Sequence, residues 1–329
     1  MTTFLEIASF EVTHRALPWP WVAVDPTRTR FAFATADDVV GTRALVDGKI
    51  VEGKSFSLPA DLALSAERVR GFAIDPRGEL LAVSGGSVLV TLGDGESKRT
   101  SVDALAPGFV AHAITFDRAG SRLWISAESG TETALVLLDA RSHEVVGVVR
   151  SAPFPSPANH ELHVHPQDDA VLLLAACGED GTFARVAGWS GGPPVAIPTA
   201  LDEGAASAGF VGFSADGARV HLADPDELQT YAWPELGKLS STAFEDDFVA
   251  NYSGAVLDSL VFVDGELDVD DARTDAVMMF DASGRKGALV SPAPPGMWVG
   301  RLGPNAIVTV DAKGDPTRGR VLRVRKISN

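Results

Sequence analysis

One short phrase recurs seven times along the chain: an apolar run closes on a small polar residue, a turn follows, and a second apolar run begins. The copies are Val22-Ala23-Val24-Asp25, Phe72-Ala73-Ile74-Asp75, Ile114-Thr115-Phe116-Asp117, Leu162-His163-Val164-His165, Val211-Gly212-Phe213-Ser214, Phe248-Val249-Ala250-Asn251 and Met297-Trp298-Val299-Gly300. Their final residues lie 37 to 50 positions apart, about 46 on average, which is the length of one four-stranded propeller blade.

Second runs such as Leu80-Leu81-Ala82-Val83 and Val171-Leu172-Leu173-Leu174, and third runs such as Ala134-Leu135-Val136-Leu137-Leu138, are bounded by Gly, Asp or Pro. Short apolar runs between turn residues are strands. Helical periodicity is nearly absent, apart from a turn around residues 61–68. These features predict an all-β, seven-bladed β-propeller of four-stranded blades. The last repeat holds only three runs, ending in Arg320-Val321-Leu322-Arg323-Val324, while Phe4 to Val12 forms a strand ahead of the first blade. Pairing that N-terminal strand with the last three completes blade seven and removes the exposed edges that invite aggregation. The reading is one domain over residues 1–329, with blades beginning near 20, 70, 112, 160, 209, 246 and 295.

Phe116-Asp117-Arg118-Ala119-Gly120-Ser121-Arg122-Leu123-Trp124 and Gly212-Phe213-Ser214-Ala215-Asp216-Gly217 resemble the strand-turn-strand signature of the bacterial YVTN and WD-repeat-like propellers. Leu137 to Val146 resembles their third hairpin. The likeness covers nearly the whole chain and implies an architecture shared by lactonases, surface proteins and scaffolds. The Trp-Asp and Gly-His pairs of true WD repeats are missing. Fold at this level does not carry function.

With 28 basic against 44 acidic side chains the net charge is −16, which argues against nonspecific binding to nucleic-acid phosphates or anionic membranes. No apolar stretch approaches the roughly 20 residues of a spanning helix. The single cysteine, Cys177, has no internal disulfide partner, and Met1-Thr2-Thr3-Phe4 lacks the basic start of a secretory signal. The expectation is a cytoplasmic, monomeric protein whose partner is a protein or small molecule.

Motifs for a nucleophile elbow, a phosphate loop, a C-x-x-C pair and an H-E-x-x-H helix are missing. His160-Glu161-Leu162-His163 sets its histidines one residue too close for a helical zinc motif. The acidic run 268–275 lacks the glycine and terminal glutamate of a calcium loop and reads as a solvated loop between strands two and three of blade six, with a weak calcium site as the alternative.

Propellers place their sites where the innermost strands begin. Counting four residues back from Val24, Ile74, Phe116, Val164, Phe213, Ala250 and Val299 gives Pro20, Arg70, His112, His160, Gly209, Asp246 and Pro295. The candidate ligand-binding set is therefore Arg70, His112, His160 and Asp246, with Glu161 and Asp247 beside them and Trp19 leading onto the same rim. His112 and His160 are the candidate ligands of a divalent metal. Such a ring could hold a cation or orient an anionic small molecule, and it is also what a merely wet rim looks like. His163 is expected to be a buried histidine tying two blades together, and His165 to stand in for the turn aspartates Asp25, Asp75 and Asp117, which cap their own turns. Cys177 reads as a small buried hydrophobe, or as a nucleophile if a histidine of the rim served as its base. Two functions remain open: a noncatalytic binding propeller, or a lactonase-like hydrolase using the His/Arg/carboxylate cluster with or without a metal.

Overall fold

The computed structural model describes residues 2–12, 22–36, 38–62, 71–156, 158–201, 207–244, 247–269, 272–285, 287–291, 293, 296–310 and 320–328. The fold is an all-β, seven-bladed propeller of four-stranded sheets. Two compact units make it up.

One unit carries blades one to four. In each, four consecutive strands pair in sequence order; blade three, for example, runs Val110–Phe116, Arg122–Glu128, Thr133–Asp139 and Val145–Ser151. The middle strands are buried on both faces, as in Ala170–Ala176, so they read as unbroken apolar runs rather than as alternation. Each sheet packs on the next. A cluster containing Leu80, Ala82, Leu89, Ile114, Leu123, Ile125 and Val136 joins blades two and three, and a second containing Trp124, Leu137, Val171, Leu173 and Cys177 joins blades three and four.

The turn between first and second strands owes its form to the polar residue that ends each repeat phrase. Asp75 is fully buried, and its Oδ1 accepts the backbone N–H groups of Glu79 and Leu80 at 2.6 and 2.8 Å. Asp117 does the same for Ser121 and Arg122 at 2.8 and 2.9 Å. In blade four His165 takes the part, its Nδ1 accepting from Gln167 and Asp168 at 3.3 and 2.8 Å. The turns also touch one another. Arg30 Nε donates to the Pro76 carbonyl at 2.9 Å, and Arg118 donates to that of Gln167 at 2.6 Å. Gly120 has φ +68°, and a Cβ there would lie 3.0 Å from Pro76 Cδ and 3.1 Å from Asp75 Oδ2, so both conformation and space call for glycine.

His143 ties blades two and three together, whereas His163, expected to be buried, is about a fifth exposed. His143 leaves the third hairpin of blade three at φ +58°, and its ring nitrogens bond Thr91 Oγ1 at 2.9 Å and Thr100 Oγ1 at 2.8 Å on blade two. His163 Nε2 instead meets the Glu161 carboxylate of its own strand at 3.1 Å.

The other unit carries blades five, six and seven. Blade five again uses a capped turn, with the Arg219 N–H donated to Ser214 Oγ at 2.9 Å. Blade six differs from the sequence expectation in register. Its first strand runs from Phe248 to Leu257, with a bulge between Ala250 and Ser253, so the turn follows Leu257 and not Asn251. The residue four back from that strand end is Ser253, where counting from Ala250 gives Asp246. In blade seven the first strand, Met297–Leu302, likewise continues past Val299. Its sheet is completed by Thr3–Val12, which lies on the outer edge beside Arg320–Ser328. Glu6 and Arg323 form an ion pair at 2.7 Å across that junction, and Phe4 stacks edge-on against Trp298 at 6.2 Å.

Removing residues 1–12 uncovers the edge of Arg320–Ser328 and the Trp298 face. The truncated protein is expected to aggregate, or to melt roughly 10 °C or more below the full chain. Calorimetry checks this, and equal melting temperatures would contradict closure by the N-terminal strand.

Candidate functional site

The site is built at the seam between blades three and four, within one unit, and it starts from a local irregularity. The first strand of blade three is bulged between Ala111 and Ala113, so His112 is the extra residue. A bulge re-aims a side chain. His112 is about a quarter exposed, and its ring centroid lies 4.6 Å from that of His160, at 34° between planes. His160 sits on Asn159–Val164, the first strand of blade four, opposite Ala175. Its side chain is fully buried.

Glu128 ends the second strand of blade three, opposite Val110. Its Oε2 lies 3.8 Å from His112 Nε2 and 3.8 Å from His160 Nε2. Ser126, two residues earlier, is buried and bonds His160 Nδ1 at 2.7 Å. Phe154 meets the His160 ring edge-on at 5.3 Å, and the Arg185 guanidinium lies 4.6 Å over the Phe154 ring. His160 Nε2 is buried with no hydrogen-bond partner, a cost seldom left in a fold without a reason.

Burial, then the charges of His112 and Arg185, push the His160 pKa down to about 3, so the ring is neutral at physiological pH. Burial raises the Glu128 carboxyl, against the Phe154 backbone N–H and Arg185, which both favour its charged form. Among the described residues, His112, Glu128 and His160 are the one group of three His, Cys, Asp or Glu donors within reach of a single ion, their ligand atoms all within 4.8 Å of one another.

Of the residues picked from sequence, the structure therefore brings His112 and His160 together. Glu161 points elsewhere, half exposed and paired with His163. Asp247 is an exposed turn residue of the other unit, and its carbonyl accepts the Asp268 N–H at 2.9 Å. Trp19, Arg70 and Asp246 lie outside the described residues. Cys177 is buried among Trp124, Phe154 and Leu173, with Sγ 3.7 Å from the Ala175 carbonyl, as a small core residue would be. Glu128 and Ser126 were not singled out by sequence reasoning. The signal for Glu128 was a carboxylate closing an apolar strand, Leu123-Trp124-Ile125-Ser126-Ala127-Glu128, where blades four and five end in Ala176 and Ala223.

A cavity of about 380 Å³ opens in the other unit, lined by Asp224, Glu227, Gln229, Tyr231 and Lys238 among others. Its polar groups bond each other: Gln229 Nε2 donates to Asp224 and Glu227 at 2.7 and 2.8 Å, and Lys238 to Glu227 at 3.2 Å. A satisfied network asks little of a ligand. No helix among the described residues is long and apolar enough to cross a membrane.

Fold and site together define a seven-bladed propeller with a histidine pair and a carboxylate at one inner seam. The chain matches no protein-family model, and none of the curated proteins matches it.

A histidine whose folded pKa is depressed stabilises the fold fully above its unfolded value of about 6.5, and that contribution is lost as pH falls toward the folded value. His160, at about 3, and His143 and His221, each at about 4 through burial, all act in this sense. The urea midpoint is expected to fall between pH 6.5 and 4, and to fall less in His160→Gln. Histidine NMR checks it directly: a His160 ring that protonates near pH 6.5 in the folded protein would contradict the burial argument.

Proposed function

We propose that the protein is a noncatalytic binding propeller whose small ligand contacts His112, His160 and Glu128. The observation that carries this reading is the convergence of two imidazoles from adjacent blades on one carboxylate oxygen, with His160 Nε2 buried and unpartnered. A seam that served packing alone would place apolar groups there, because each buried, unpaired polar atom costs about 1–3 kcal/mol. Arg70 holds the equivalent sequence position in blade two and belongs to the proposed site on that ground. The hydrolase reading is the weaker one: the Ser126 hydroxyl at His160 Nδ1 is fully buried, and the thiol of Cys177 is in the core.

Thermal-shift screening against small polar metabolites and divalent cations tests the assignment. A ligand present at a hundred times its Kd stabilises the native state by about 2.7 kcal/mol. The wild-type protein is expected to show a rise in melting temperature that His112→Ala/His160→Ala loses. A ligand that shifts both proteins equally binds elsewhere and removes the site from the function.

A further inference from the structure

We propose that His112, Glu128 and His160 bind one divalent transition-metal ion of the zinc and cobalt class, leaving a coordination position for water or for an oxygen of a small ligand. The proposal rests on the ligand-site reading above and names what the site takes up first.

Spacing is the first argument. Glu128 Oε2 is 3.8 Å from each Nε2, and all three donor atoms fall within 4.8 Å of one another. A tetrahedral zinc ion with bonds of about 2.0–2.2 Å holds its ligand atoms roughly 3.3–3.5 Å apart. Small side-chain rotations close that difference. The space between the donors is that of a single ion.

Donor type is the second argument. Two imidazole nitrogens and one carboxylate suit borderline metals such as zinc and cobalt, whereas calcium and magnesium seek six or more oxygens. Three protein ligands with an open position are also the pattern of a centre that exchanges water.

The state of His160 is the third argument and an independent one. A ligating histidine needs a neutral ring, a fixed orientation and a lone pair facing the ion, and it gains these by donating its other N–H to an acceptor. Ser126 Oγ stands 2.7 Å from Nδ1, in position to accept that N–H. In the tautomer with the proton on Nδ1, the Nε2 lone pair faces Glu128 and His112. An unpartnered buried Nε2 occurs also at His221, yet among the described residues no second group of metal donors gathers there. What sets His160 apart is the company of a second imidazole and a carboxylate. The charge of Arg185 opposes a cation, and Glu128 offsets it.

Chelator-stripped protein is dialysed against Zn²⁺, Co²⁺ or Ca²⁺ and the bound metal is counted. One equivalent of Zn²⁺ or Co²⁺ is expected, with no Ca²⁺, and the cobalt form should show the strong visible absorption of a four- or five-coordinate ion. His112→Ala and Glu128→Gln, changes at partly exposed positions, are expected to abolish stoichiometric uptake with the circular dichroism unchanged. Ser126→Ala is expected to weaken affinity about 10- to 100-fold through the ring it positions. Uptake that survives His112→Ala and Glu128→Gln, or equal uptake of Ca²⁺, overturns the proposal. If no transition metal binds while a metal-free ligand still shifts the wild type and not His112→Ala/His160→Ala, the metal is wrong and the ligand site stands. If every ligand shifts the double variant equally, both readings fail.

Discussion

The capped turn between first and second strands is the contact on which the rest of blades one to five depends. A buried acceptor at the end of the first strand, Asp25, Asp75 or Asp117, takes the backbone N–H groups of the returning strand. That fixes the register of a hairpin whose two strands are then buried, where a one-residue slip would turn every side chain to the wrong face. Desolvation makes such acceptors expensive unless saturated, and two or three backbone donors saturate them. Ser214 shows that the requirement is for an acceptor at that point and not for a carboxylate.

With the register fixed, the sheets pack face to face and the polar chemistry is confined to what the seams admit. The seam between blades two and three takes His143 and satisfies both ring nitrogens with threonine hydroxyls. The seam between blades three and four takes His160 and satisfies only Nδ1. Both rings are held neutral by burial, so the difference between them is one of partners. His143 is a structural tie, and His160 is left with an unused lone pair or proton facing a second imidazole and a carboxylate.

Much of this was legible in the sequence because the repeat phrase carries both the strand and its cap. The number of blades, the closure by Phe4 to Val12 and the meeting of first-strand positions 112 and 160 all follow from spacing. What could not be read is where strands gain a residue. The repeat spacing places the turn of blade six seven residues early because its first strand is ten residues long and bulged at Asn251 and Tyr252, and local composition does not mark a bulge. The same kind of irregularity at His112 happens to turn its ring toward His160. Glu128 and Ser126 escaped notice because they lie on the second strand, whose exit reaches the seam only through cross-strand pairing. His143 was not legible as a blade tie, because it sits in a hairpin turn whose reach to Thr91 and Thr100 is a matter of blade packing and not of local pattern.

A site drawn from two blades has a thermodynamic consequence. His112 and Glu128 belong to blade three and His160 to blade four, so the cluster exists only when the two sheets are docked through Trp124, Leu137, Val171 and Leu173. Any ligand that bridges these residues must then stabilise the docked pair by its own binding free energy, since it has no comparable site in the open or unfolded chain. Conversely, the docking already spends the desolvation of a neutral imidazole and the ordering of the His160 ring by Ser126. What remains for the ligand is chiefly to draw three donor atoms, already within 4.8 Å of one another, toward a common centre, and a preorganised site of that kind discriminates by size and donor preference more than by reach.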